Sequence, residues 1–124
     1  MDTILHWLIS AAFAIVLHEA AHVAVALANG LAVRRIGFSW IGPYVVRERS
    51  QSAAVNAAVS LAGPGVNLAL AFVFWFIAPQ FAQVNLELAI ISGFPWLPAS
   101  DGKAALRALR GRLRPPPERR RSAD

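Results

Sequence analysis

Two long apolar runs limit the possible folds of this chain more than any other feature. They extend from Thr3 to Asn29 and from Ser52 to Pro79. As a helix, the first run would be about 40 Å long at 1.5 Å per residue, enough to cross a hydrocarbon core of about 30 Å with some tilt. A soluble domain of 124 residues does not need such runs, and 56% hydrophobic with 15% charged residues also points to lipid. We therefore expect both runs to be transmembrane helices.

The first run ends in Ala26-Leu27-Ala28, which resembles a signal-peptidase site. However, the run has no basic start, is longer than the apolar core of a signal peptide and carries three ionisable residues. We expect it to be a helix of the folded protein.

The segment between the two runs, from Leu31 to Arg49, has the alternation of a strand. Ile36, Phe38 and Trp40 alternate with Arg35, Gly37 and Ser39. Ile41-Gly42-Pro43 then supplies a turn before Tyr44-Val45-Val46. This pattern predicts a short β-hairpin at the membrane surface.

The second run carries one stripe of small and polar residues, at Asn56, Ser60, Gly63 and Asn67. Their spacing of i, i+4, i+7 and i+11 puts them on one helix face. Such a stripe lets another helix approach closely and gives it hydrogen-bond partners.

A third apolar segment, from Leu86 to Pro98, is interrupted by Gly93, Pro95 and Pro98. We expect a broken span, because irregular backbone at membrane depth is tolerated only where it is buried in protein or lines a wet cavity. The sequence therefore predicts an all-α membrane protein with about three transmembrane segments, the third one broken, and a small β-hairpin between the first and the second.

Residues 103–114 have the pattern of a basic helix at the membrane interface, following a core formed by residues 1–102. Leucines 106, 109 and 113 face one way and arginines 107, 110 and 114 another. Residues 115–124 are rich in Pro and Arg, and we expect a disordered tail.

The basic residues also predict the orientation of the chain. Four arginines follow the first span, Lys103 and seven arginines follow the third, and the loop near Gln80 to Gln83 has none. By the positive-inside rule, the hairpin and the C-terminal tail are cytoplasmic and Met1 is outside. The net charge of +5 is better explained by a membrane surface than by nucleic acid, because no aromatic residues are interleaved with the basic ones. We expect an integral protein of a bacterial or archaeal cell membrane.

His18-Glu19-Ala20-Ala21-His22 is an HExxH sequence inside the first apolar run. The four-residue step puts both imidazoles on one helix face, about 6 Å apart. With no cysteine in the chain, a metal site must use His and carboxylate ligands. Three ionisable groups in a membrane helix cost several kcal/mol unless they find partners, and a metal is such a partner. The motif predicts one zinc ion per chain, with His18 and His22 as ligands and Glu19 as the general base.

Three signals stand in order along the chain: HEAAH at His18–His22, SLAGPGVNL at Ser60–Leu68 and FPWLPASDG at Phe94–Gly102. Together they resemble the site-2 protease family of intramembrane zinc metalloproteases. The resemblance implies peptide-bond hydrolysis in transmembrane segments near the cytoplasmic side, with Asp101 as the third metal ligand. It also implies that an edge strand of the hairpin, through Ile36 and Phe38, holds the unwound substrate, and that Asn67 and Ser92 have a substrate-binding or structural role.

The third signal departs from the family pattern in two ways. The family usually has asparagine where this chain has Ser92, and one residue between the second proline and the aspartate where this chain has Ala99 and Ser100. By depth, Asp101 lies nearer to the histidines than Glu87 does, and His6 lies about 18 Å from His18 along the helix. An alternative remains, because aspartate is also a favoured N-cap and Asp101 would precede the helix that starts near Lys103.

Other functions fit the same residues less well. The absent asparagine favours a catalytically silent membrane adaptor that binds metal in the same fold. A transporter or metal-handling subunit would show internal repeats and more polar helices, and a soluble zinc protease would need a polar outer face on the first helix. The expected partners are the lipid bilayer and a membrane-protein or peptide substrate, and we expect no nucleic-acid partner. The sequence is compatible with a homo-oligomer but does not decide the oligomeric state.

Overall fold

The computed structural model describes residues 2–40 and 42–111. Its elements, in chain order, are helix α1 (Asp2–Ala28), strands β1 (Val33–Ser39) and β2 (Gly42–Arg47), and helices α2 (Ala53–Phe74), α3 (Pro79–Gly93) and α4 (Asp101–Gly111). Helix α2 lies at the centre and packs against the other three helices. The mostly helical fold with one small antiparallel sheet agrees with the sequence prediction.

Helix α1 is the first apolar run, as predicted. It ends at Asn29-Gly30, where Gly30 adopts a φ of +72° and the Leu31 amide donates to the Ala26 carbonyl at 3.0 Å. A positive φ is cheap only for glycine, so the chain can turn away here and close the last helical turn. Ala26, Leu31 and Val59 then form a small core between α1 and α2.

The predicted hairpin is confirmed. Strands β1 and β2 pair antiparallel, with Ile36 opposite Val45 and Gly37 opposite Tyr44. A Cβ at Gly37 would lie 2.5 Å from the Tyr44 ring, so the ring lies directly on the bare glycine backbone. This packing fixes Tyr44 on the face of the sheet.

The second apolar run does not form one helix to Pro79, and this prediction was wrong. Helix α2 begins after its N-cap Ser52 and already ends at Phe74. Helix α3 starts at Pro79, so the segment Gln80 to Gln83, expected to be a loop, is helical. Proline disfavours the helical conformation in the residue before it, and Ala78 accordingly leaves the α region with φ −142° and ψ 72°.

Two helices are long and apolar enough to cross a membrane, Thr3–Ala28 and Ala53–Phe74, each with a mean hydropathy of 1.8. The helix in the third predicted span, α3, is shorter than the roughly 30 Å hydrocarbon core that a crossing helix must span. Helix α3 has 15 residues, which corresponds to about 22 Å.

The break predicted within the third apolar segment, Leu86 to Pro98, lies near its end, because α3 stops at Gly93 and residues 94–100 connect it to α4. Helix α4 starts at Asp101, two residues before the expected Lys103, and it packs through Gly102 and Ala105. A Cβ at Gly102 would lie 1.9 Å from the Gly93 carbonyl oxygen, so the start of α4 contacts the end of α3 directly. Residues 112–114 of the predicted basic helix and the tail 115–124 lie outside the described residues.

Candidate metal centre

Two histidines of α1 and one aspartate of α4 meet at a single point. His18 Nε2 lies 3.0 Å from Asp101 Oδ2, His22 Nε2 lies 3.3 Å from the same oxygen, and the two Nε2 atoms are 3.2 Å apart. Both histidines are buried, and Asp101 is partly buried. The fold thus brings together three residues separated by up to 83 positions in sequence.

The spacing of these three atoms fits a tetrahedral metal ion. Ligand atoms bound at about 2.0–2.1 Å in a tetrahedral site lie about 3.3–3.4 Å from one another. The three observed separations, 3.0, 3.2 and 3.3 Å, are close to this value. Two imidazoles and one carboxylate are a donor set that zinc uses in catalytic sites, which keep a fourth position open.

His22 is held in the tautomer that a metal ligand needs. Its Nδ1 lies 2.7 Å from the Val59 carbonyl oxygen, which can only accept, so the Nδ1–H donates. In the neutral ring, Nε2 then presents a lone pair to the Asp101 oxygen, which is another acceptor. Such a contact is stabilised only by a cation between the two atoms. A proton can bridge only one pair of these atoms, whereas a metal ion can bind His18 Nε2, His22 Nε2 and Asp101 Oδ2 together.

Asn67 orients the other histidine. The buried side chain of Asn67 places its amide nitrogen 3.2 Å from His18 Nδ1, while its Oδ1 has no partner among the described residues. With the nitrogen facing the ring, His18 carries its proton on Nε2 and donates it to Asp101. Rotation of the amide by 180° lets the oxygen accept from Nδ1–H and leaves Nε2 as a ligand. The same asparagine can therefore support the centre with and without metal.

Gly63 forms the wall of the centre opposite the histidines. A Cβ at this position would lie 2.4 Å from His22 Nε2 and 2.5 Å from His18 Nε2. Only glycine lets the two rings converge at this distance from α2. The sequence placed Gly63 on a helix-packing stripe but gave no sign of this contact, because spacing alone does not tell which partner a bare backbone faces.

The backbone before α4 directs Asp101 toward the histidines. Ser100, not Asp101, caps the helix: its carbonyl accepts from the Ala104 amide, and its hydroxyl accepts from the Lys103 amide at 3.2 Å. Ala99, directly before this cap, adopts a φ of +57°, an uncommon conformation for a residue other than glycine. Asp101 is therefore available to the metal centre rather than used as the cap.

The electrostatics of Asp101 agree with its position. Burial raises the pKa of this carboxyl, but the contacts with the two imidazoles and their charge together outweigh burial and lower the pKa to about 2. The carboxylate is thus held ionised, as a metal ligand must be.

A cavity of about 350 Å³ opens beside the centre. Glu19 lines it with His22 and Asp101, and the carboxylate of Glu19 has no hydrogen bond or ion pair among the described residues. Tyr44, Ser60 and Arg47 line the same cavity from the hairpin and from α2. An unpaired carboxylate next to three metal-ligating atoms can exchange a proton with a molecule bound in this cavity.

The remaining predicted site residues are spread over the fold. Asn67 is part of the centre. Ser92 donates its hydroxyl to the Leu88 carbonyl of its own helix at 2.6 Å and does not line the cavity. Ile36 and Phe38 lie on β1 with 67% and 82% of their surface exposed. Other residues at or near the site were not predicted from the sequence as site residues; they are Tyr44, Arg47, Val59, Ser60, Gly63 and Ser100.

Comparisons with models of protein families, with curated proteins and with solved structures found no match to this chain. Among the described residues, His18, His22 and Asp101 form a group that could hold a metal ion.

Proposed function

We propose that this protein is an intramembrane zinc metalloprotease that hydrolyses peptide bonds of transmembrane segments near the cytoplasmic side of the membrane. One observation carries the proposal: the ligand atoms of His18, His22 and Asp101 converge at 3.0–3.3 Å, beside the unpaired carboxylate of Glu19. When bound, zinc supplies a Lewis acid that activates water and polarises a carbonyl group.

The residues around the centre have separate roles in hydrolysis. Glu19 takes a proton from the attacking water and passes it to the leaving amine, because it is the one acidic side chain on the cavity besides Asp101. Val59 and Asn67 hold the two imidazoles in orientation through their Nδ1 atoms. Gly63 leaves room for the rings.

The surface of the helices supports a membrane location. In the most apolar stretch of α1 only 17% of the residues are buried inside the protein, whereas the core helix of a soluble protein would be mostly buried. Phe13, Val16 and Phe72 are more than half exposed. Lipid is the solvent that such a surface fits. In our proposal the hairpin and α4 lie on the cytoplasmic side, in keeping with their arginines.

The hairpin supplies a binding surface for the substrate. A transmembrane helix is a poor substrate while its backbone is fully hydrogen-bonded, so it must unwind locally. Among the described residues the sheet has two strands, and neither strand pairs with a third strand at its outer edge. An unwound segment can add to such an edge, and Tyr44 links the sheet to the cavity that contains Glu19.

The test is a comparison of two glutamine variants, assayed on a model transmembrane peptide in proteoliposomes. Glu19→Gln preserves shape but removes the base, so we expect zinc to be retained and cleavage to fall at least about 100-fold. Glu87→Gln is the matched control, because Glu87 is an exposed carboxylate of α3 that bonds Gln83. Turnover that persists in Glu19→Gln would remove Glu19 from the mechanism.

A catalytically silent metal-binding adaptor is the second candidate. It is favoured by Ser92, which stands where the resembling family has asparagine and whose hydroxyl is bonded within its own helix. Such a protein would bind one zinc per chain and bind the peptide without cleaving it.

A further inference from the structure

A second cavity, of about 280 Å³, lies next to the proposed active site. Three arginines reach it from different elements: Arg47 from β2, Arg49 from the segment after β2 and Arg107 from α4. We call it the basic cavity; its other lining residues are Asn56, Ser60, Ala104 and Ala108. None of the described residues that line it is acidic.

The three arginines have no carboxylate partner within residues 2–40 and 42–111. The ion pairs there join Asp101 to the histidines and Arg34 to Glu48. Arg47 donates to the Glu48 main-chain carbonyl at 3.3 Å, which carries no full charge. Burial and the neighbouring charge of Arg49 lower the pKa of Arg47, and the Asp101 carboxylate opposes this shift. Apart from this partial compensation at Arg47, the described residues leave the positive charge of the cavity without an ion-pair partner.

Two polar residues of α2 support this arrangement. Asn56 clamps Ser50 through two hydrogen bonds, from the Ser50 amide at 2.9 Å and to the Ser50 carbonyl at 2.7 Å. This clamp fixes the chain directly after Arg49. Ser60 lines the cavity, and its hydroxyl has no hydrogen-bond partner among the described residues. This hydroxyl can therefore donate a hydrogen bond to a ligand in the cavity.

We propose that the basic cavity binds a phosphate group, held by Arg47, Arg49 and Arg107 with Ser60 as an additional donor. Guanidinium groups match the oxygens of phosphate with paired, charge-assisted hydrogen bonds, and three of them neutralise its charge. The phosphate can come from a lipid headgroup at the membrane surface or from a free phosphate ion. This site depends neither on the metal nor on peptide hydrolysis.

The experiment measures binding to the detergent-purified full-length protein by calorimetry at low ionic strength. The ligands are inorganic phosphate and dihexanoyl phosphatidic acid. We expect Arg49→Gln/Arg107→Gln to weaken phosphate binding by at least about tenfold, since two charge-assisted contacts are lost. The control Arg35→Gln/Arg110→Gln removes the same charge from exposed positions of β1 and α4 that do not line the cavity, and should stay within about twofold of wild type.

Each outcome bears on the proposal. Binding of both ligands means that the phosphate group suffices, and binding of the lipid alone assigns the site to a headgroup. If both double variants lose the same phosphate affinity, the loss reflects only the lower net charge of the protein, and the proposal is overturned. It is also overturned if neither ligand binds, or if an acidic peptide binds where phosphate does not. If the double variant fails to fold, Arg107→Gln alone, at an exposed position of α4, tests the same prediction with a smaller expected loss.

Discussion

Replacing Gly63 by alanine tests whether the two imidazoles bind metal in the arrangement seen in the structure. The added methyl group would lie 2.4 Å from His22 Nε2 and 2.5 Å from His18 Nε2. Ordinary contact between such atoms requires about 3.4 Å or more, so each ring must withdraw by about 1 Å. Metal sites tolerate changes in ligand distance of about 0.2 Å. We therefore expect zinc affinity to fall by at least about 100-fold, beyond the loss typical of residues that only orient the ligands.

Gly65→Ala is the matched control on the same helix. A Cβ at Gly65 meets nothing within 4 Å, so this variant should bind zinc like wild type and gain up to about 1 kcal/mol of helix stability. Gly63→Ala should cost about 1–3 kcal/mol through overpacking, which leaves the helices folded by circular dichroism. Zinc affinity is measured by competition with a chromophoric chelator. Equal affinity in the two variants would refute the reasoning, because the convergence of His18 and His22 would then not be the metal-binding arrangement.

Three further predictions concern the metal ligands and the membrane topology. Elemental analysis of the purified protein should give about one zinc per chain, and His18→Ala/His22→Ala should lose it; an unchanged content would exclude both histidines. Asp101→Asn and Asp101→Ala should both weaken zinc binding sharply, whereas Ser100→Ala should leave the ligand in place and lower the stability in thermal unfolding by about 1 kcal/mol. If Asp101→Asn binds zinc as tightly as wild type, Asp101 is not the third ligand. Cysteine labelling in intact cells should reach Gln83→Cys from outside and Ser50→Cys only after the membrane is opened; labelling of Ser50→Cys from outside would invert the orientation.

The sequence was most informative where one strong pattern fixed local geometry. The four-residue step of His18 and His22 is enough to place two ligands on one helix face, and the alternation from Ile36 to Trp40 is enough to predict a strand. Hydropathy could not reveal the end of α2, because Trp75, Phe76 and Ile77 are as apolar as the helix before them. The break there depends on Pro79, whose effect on Ala78 is local and leaves the hydropathy unchanged.

Contacts between distant elements were the least accessible from the sequence. The stripe of α2 indicated a close helix neighbour, and Gly63 and Asn67 do contact α1, but their partners are the two histidines of the candidate metal centre rather than apolar packing side chains. Periodicity identifies a face of a helix and carries no information about what lies opposite. The basic cavity was inaccessible from the sequence for the same reason. Arg49 and Arg107 are 58 positions apart and line one cavity only because α4 packs against α2.

The two departures of the third motif from the family pattern have different consequences. The extra residue before Asp101 would rotate a regular helix start and carry the carboxylate away from the histidines. In this chain Ala99 has a left-handed conformation, Ser100 serves as the helix cap, and Asp101 lies 3.0 Å from His18. The changed spacing is therefore no argument against metal binding. The serine in place of asparagine is not compensated in this way, because the Ser92 hydroxyl bonds Leu88 within α3. We propose that position 92 limits turnover if the protein binds zinc but cleaves slowly. Ser92→Asn should then raise turnover without changing zinc affinity, and unchanged turnover in this variant would contradict the proposal.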